Sequence, residues 1–193
     1  MSKIAFVGGK LVDGTGAAPV EDSLVLVDDK KIAYAGPRTE VPEGYEVRDI
    51  QGRTIMPGLI DTHLHFSGNL TDNDNDWVIE SVAQKQACAV KQSWDALSHG
   101  LTTVCEIGRN GIAIRDLVNM GIMEGPRIYA TGLGFCRVAG HGDCHQLPQE
   151  ISKDGHPWGD QVDGPWDLRK AVRRRLRENP DAIKIWATGG GIW

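Results

Sequence analysis

From residue 59 onward the sequence alternates strand-like and helix-like segments, a pattern that points to parallel strands joined by crossover helices. Strand signals fall at 59–65, 101–107, 127–131 and 182–188, and helix signals at 76–98, 110–120 and 165–179. Within 76–98 the apolar residues Val78, Ile79, Val82, Ala89, Val90, Trp94 and Leu97 recur near the helical period. Asp76 is placed as the N-cap and Gly100 as the stop; Gly121 ends the second helix and Pro165 opens the third. A long polar loop fills 132–164. A closed (β/α)8 barrel takes about 250 residues. A doubly wound open sheet would carry a Gly-rich phosphate loop near its first strand, and this chain has none there. The fold class is therefore α/β, the first half of a TIM-like (β/α)8 barrel at 58–193. Its open edges and apolar lumen call for further chain to close it.

Residues 1–57 read differently. Strand-like runs at 3–7, 23–27 and 31–35 are punctuated by Gly8-Gly9, Asp13-Gly14, the Asp28-Asp29-Lys30 turn and Gly36-Pro37. They predict a small antiparallel β unit without helix. Composition excludes some functions. A net charge of −5 argues against a general affinity for nucleic acid. No apolar run approaches the roughly 20 residues of a membrane helix, and the first ten residues are too short for a signal sequence, so the expectation is a cytoplasmic protein. Cys88, Cys105, Cys136 and Cys144 form no CxxC pair and read as reduced thiols. Glycine, at 24 of 193 residues, exceeds the usual 7% or so. The excess implies tight turns or loops that approach a ligand.

Two segments carry chemistry. In PGLIDTHLH (57–65), strand alternation turns His63 and His65 to one side, where two imidazoles can share a divalent ion. The bland alternative is a pair of half-exposed histidines at a strand end. In DAIKIWATGGG (181–191), Lys184 stands between isoleucines in an expected buried strand. Burial favours the neutral amine, which can add carbon dioxide to become a carbamate with two oxygen ligands. The alternative is a snorkelling lysine. Thr188, four residues on, is read as sharing that face, and the glycines beyond it let backbone approach a substrate.

Together PGLIDTHLH, GLTTVCEIG (100–108), GPRIYATG (125–132) with AGHGD (139–143), and DAIKIWATGGG resemble the first four strands of the amidohydrolase superfamily. The similarity is greatest to its imidazolonepropionase and Xaa-Pro dipeptidase-like branch. Residues 1–57 resemble part of that family's N-terminal β-sandwich. The resemblance implies that His63 and His65 ligate one metal and that carbamylated Lys184 bridges to a second. Zinc comes first, with cobalt or manganese also suited to such donors. It implies two further histidines from strands five and six and a general-base aspartate from strand eight, so the catalytic base belongs to the missing half. It also makes His141 a substrate contact. Where relatives often show Arg-Asp, this chain has Cys105-Glu106; Glu106 keeps an acid near the pocket as a substrate-binding candidate.

Other features have blander readings. Cys136, His141, Cys144 and His145 fit no standard closed zinc set. The run 72–76 lacks the Gly and Glu of a calcium loop and reads as a polar loop leading into a helix cap. Arg169, Lys170, Arg173, Arg174, Arg175 and Arg177 read as a solvated helix face. His99 suits a helix C-terminus, and His156 has no assignable role. Two functions follow. One is metal-dependent hydrolysis of an amide, peptide, carbamate or urea C–N bond. Its small-molecule substrate would be held by a barrel completed by a second chain or a nicked continuation, the complete unit itself forming a homo-oligomer. The other is a non-catalytic assembly half that self-associates through its open edges.

Overall fold

A computed structural model describes residues 2–69, 71, 76–145, 147–152 and 159–189. The backbone divides into two units, Met1–Pro57 and Gly58–Trp193.

In the first unit, β1 (Lys3–Val7), β2 (Lys10–Leu11), β3 (Ser23–Asp28), β4 (Lys31–Pro37), β5 (Glu46–Asp49) and β6 (Thr54–Ile55) follow in order. Three match expected runs, because apolar stretches broken by Gly and Asp turns are local signals. The pairing departs from expectation. β1 lies between β3, antiparallel, and β5, parallel, and β2 pairs with β6 in parallel, so the unit is mixed rather than antiparallel. Charged β5 supplies no apolar alternation, which hid it from the sequence reading. Ala5, Val7, Leu24 and Leu26 form its core with Tyr34, Val41 and Tyr45 packed against them.

In the second unit, β7 (Leu59–Leu64), β8 (Leu101–Glu106) and β9 (Arg127–Ala130) form a parallel sheet in chain order. The crossover segments contain α1 (Asp76–Ile79) and α2 (Val82–Ser98), then α3 (Gly111–Asn119). Their apolar sides bury Phe66, Ala89, Ala96, Val104, Ile114, Ile128 and Ala130. The opposite face leaves apolar side chains in water, although parallel sheets are normally covered on both sides: Ile60 is 68% exposed and Tyr129 50%, beside Thr103 and Arg127.

The single helix expected over 76–98 is two helices. Ser81 accepts a hydrogen bond from Gln84 N while the Gln84 side chain takes Ser81 N at 2.9 Å, a reciprocal capping box that starts α2 afresh. Asp76 belongs to α1 and is not the cap of the long helix. Ser81→Ala should lower stability by about 1 kcal/mol, read as a shifted urea midpoint at unchanged m-value.

The expected long loop carries β10 (Gly134–Cys136), α4 (Gln149–Ser152) and β11 (Gly159–Gln161), with β10 and β11 parallel. Then comes α5 (Gly164–Leu176), with Asp163 at its N-cap and Pro165 in its first turn. Its basic face is solvated apart from Arg175, which turns inward to Asp160 at 3.0 Å and Glu178 at 2.5 Å. The fourth strand expected at 182–188 is reduced to one bridge, Phe135 to Ile185, flanked by Phe135 N–Lys184 O and Trp186 N–Phe135 O bonds. Ile185 is 52% exposed, so the buried strand inferred around Lys184 is not formed. One side of the segment meets β10; no strand pairs with its other side among the described residues. The calcium-loop question at 72–75, and His156, lie outside the described residues.

Candidate metal centre

β7 delivers the histidine pair. Asp61 Oδ1 accepts the His63 amide at 2.9 Å, and the ladder's last bond runs from Ile107 N to Leu64 O at 2.9 Å. The His63 and His65 rings then meet edge to face with centroids 5.1 Å apart. His65 Nδ1 lies 2.5 Å from the Ile107 carbonyl. A carbonyl only accepts, so Nδ1 carries the proton and Nε2 presents its lone pair, the tautomer of a ligand oriented from behind. Burial lowers the His65 pKa; the Ile107 bond opposes this, and the charges of His63 and Lys184 add to it. The ring therefore favours its neutral, ligating form. Zn–N bonds are about 2.0–2.1 Å long, which places an ion roughly 3 Å from each imidazole centroid. Two rings at 5.1 Å can share one.

Lys184 is half-buried, with Nζ 5.5 Å from the centroid of the Trp186 ring. Trp186 is the residue that the sequence reading missed. Its ring lies flush on glycines: a Cβ at Gly134 or Gly159 would stand 2.5 Å from its Cζ3, and one at Gly142 3.2 Å. His141 packs against the same indole at a centroid distance of 5.6 Å. Residues far apart in sequence, Lys184 and His141, are thus joined through one aromatic ring. The glycine excess was the available signal.

The AGHGD loop is held by Asp143, which accepts Ala139 N, Ser152 Oγ and Gln161 Nε2 at 2.7–2.8 Å. Thr188 is exposed, and its inferred alignment with Lys184 loses its basis because regular strand pairing stops at Ile185. Among the described residues no group of three or more His, Cys, Asp and Glu is placed to hold a metal.

Glu106 is fully buried at the end of β8. Its Oε1 accepts Phe66 N at 3.0 Å, while Oε2 sits over Gly111 at the start of α3 without a hydrogen bond of normal geometry. Burial pushes its pKa up to about 7, against the pull of the Phe66, Gly111 and Gly108 amides. Glu106, Asn110, His65, Ile107 and Trp186 line a cavity of about 70 Å³ at this end of the sheet.

Residues 54–191 match the family model described as Amidohydrolase family. The chain belongs to the amidohydrolase family. Ochratoxinase from Aspergillus niger is 31% identical over 202 residues, covering 94% of this chain and 41% of that protein. Imidazolonepropionase from Caulobacter sp. (strain K31) is 50% identical over 53 residues, 26% of this chain and 13% of the other. A solved Xaa-Pro dipeptidase with bound methionine in the active site superposes with a TM-score of 0.80 at 28% identity, covering 98% of this chain and 48% of that one. This amidohydrolase chain spans less than half the length of those relatives. Its α/β fold is theirs over that span. No helix among its described residues is long and apolar enough to cross a membrane.

Proposed function

We propose that this chain supplies the metal-binding half of an active site that hydrolyses a C–N bond in a small amide, peptide, carbamate or urea. The observation that carries the reading is the His63–His65 pair, 5.1 Å apart at the end of a parallel strand, with one ring fixed through Nδ1. Active sites of parallel barrels lie at that end. His63 and His65 would hold one divalent ion, and carbamylated Lys184 would bridge to a second. Such ions supply Lewis acidity, polarising a carbonyl and acidifying water near neutral pH. His141 and Trp186 form one wall for the substrate, and Glu106 and Thr188 are the other substrate-binding candidates. The general base and remaining ligands come from the other half of a (β/α)8 barrel, in the same longer protein or in a second chain. The exposed Ile60 and Tyr129 on the uncovered sheet face support such a complement. The same face also fits a copy of this chain, which is the non-catalytic reading.

The test is titration of the purified chain with Zn²⁺ and Co²⁺, alongside native mass. Tight binding that falls at least tenfold in His63→Ala and in His65→Ala is expected. Equal affinity in the doubly substituted chain would end the metal assignment. Metal-free homodimers would favour the assembly reading; hydrolysis of N-acyl amino acids by a complemented particle would favour the enzyme.

A further inference from the structure

The β7–β8 ladder ends at Leu64, one residue before His65, yet Phe66 is held at both its N–H and its C=O. Phe66 N donates to Glu106 Oε1 at 3.0 Å, and Phe66 O accepts from Asn110 Nδ2 at 2.8 Å. Between those two side chains, Ile107 offers its carbonyl to His65 Nδ1. The segment 106–110 therefore grips His65 and Phe66 at three points after regular pairing has stopped.

Two further observations show that the surroundings are shaped to this arrangement. A Cβ at Gly111 would stand 1.8 Å from Glu106 Oε2, and one at Gly108 2.7 Å from Oε1, so both glycines make room for the carboxylate. Asn110 is the N-cap residue of α3 but makes no side-chain cap bond; its amide reaches Phe66 and Ser67 instead. Glu106 and Asn110 are both almost wholly buried, which leaves no room for the contacts to be incidental surface ones. The pattern Glu-x-Gly-x-Asn-Gly at 106–111 is thus one device.

We infer that Glu106 and Asn110 are positioning residues, which clamp Phe66 at its N–H and C=O and so hold His65 against the Ile107 carbonyl with Nε2 turned outward. The inference rests on the metal-site reading above only for its consequence; the clamp itself can be read without metal. Glu106 then acts through backbone and is not itself required to touch a substrate.

The experiment uses the whole chain, metal-free, at pH 8. Imidazole ¹⁵N shifts report the His65 tautomer, and amide hydrogen exchange reports Phe66. In the unsubstituted chain His65 should be the Nδ1–H tautomer and the Phe66 amide protected. Glu106→Ala should mix the tautomers, speed Phe66 exchange at least tenfold, and weaken first-metal affinity for Zn²⁺ by 10- to 100-fold. Glu106→Gln keeps an oxygen for Phe66 N and should restore all three to within about threefold. Asn110→Ala removes no helix cap bond, so it serves if Glu106→Ala does not fold; it should shift the same signals in the same direction. A lower melting temperature with an unchanged His65 tautomer would reduce Glu106 to a structural role and overturn the proposal. Absence of Zn²⁺ binding with the tautomer effect intact would instead sink the metal reading alone.

Discussion

Stability of the Gly58–Trp193 unit should fall by roughly 3 kcal/mol through Glu106 as pH rises from about 4.5 to 7. In the folded chain this carboxyl titrates near 7, against 4.5 when solvated. Below 4.5 both states are protonated and the group is neutral in its effect. Between the two values the native state keeps a proton that the unfolded chain releases, so stability declines with pH. Above 7 the full desolvation penalty is in place. His65 works in the opposite sense: its lowered pKa makes folding more favourable as pH rises through its range. Asp143 and Asp181, held low by their hydrogen bonds despite burial, act below the window, where they lose stability as pH falls. The measurement is therefore the difference between the unsubstituted chain and Glu106→Gln, by urea unfolding from pH 4 to 8.5. The two should converge near pH 4.5 and separate by roughly 3 kcal/mol at pH 8, with the glutamine variant the more stable. Parallel profiles would show that the carboxyl is not desolvated as its burial implies.

The contact of Glu106 with the Phe66 backbone is not legible in the sequence. An acid at a strand end in an expected barrel mouth looks like a substrate contact, and nothing local says otherwise. Its partner, the Phe66 amide, lies 40 residues away. What was legible was local: the ends of α2 and α3 at Gly100 and Gly121, the strands β7 to β9, and the same-side placement of His63 and His65. Ser81 was hidden because its capping box interrupts an apolar period that continues in phase across it. The β1–β5 pairing and the Trp186 cradle were hidden for another reason. Both are contacts between distant segments, and their residues become meaningful only when brought together. Lys184 shows the limit from the other side. Its isoleucine neighbours read as burial, but a segment paired on one edge leaves Ile185 half in water.

Gly68→Ala should be among the most damaging single substitutions in the chain, at roughly 2–5 kcal/mol. Two costs coincide there. The residue has φ +75°, where a side chain is strained by about 1–2 kcal/mol. An added Cβ would also stand 2.0 Å from the Lys85 carbonyl oxygen, which is helix backbone and cannot rotate aside. Gly121, at φ +70° with nothing within 4 Å, carries the first cost without the second. Gly121→Ala should therefore lose only about 1–2 kcal/mol, and the gap between the two variants measures the close approach to α2. The approach matters for the site because Gly68 lies three residues beyond His65 and donates its amide to Gln92 Oε1 at 2.9 Å. Relief of the clash must shift Gly68 away from α2, and that shift is passed to Phe66 and Ser67, which Glu106 and Asn110 hold beside His65. Gly68→Ala should accordingly weaken Zn²⁺ binding as well as stability, whereas Gly121→Ala should lower the urea midpoint and leave metal affinity untouched. Equal loss of metal affinity in both would mean that the histidine pair follows global stability rather than the docking of this one segment.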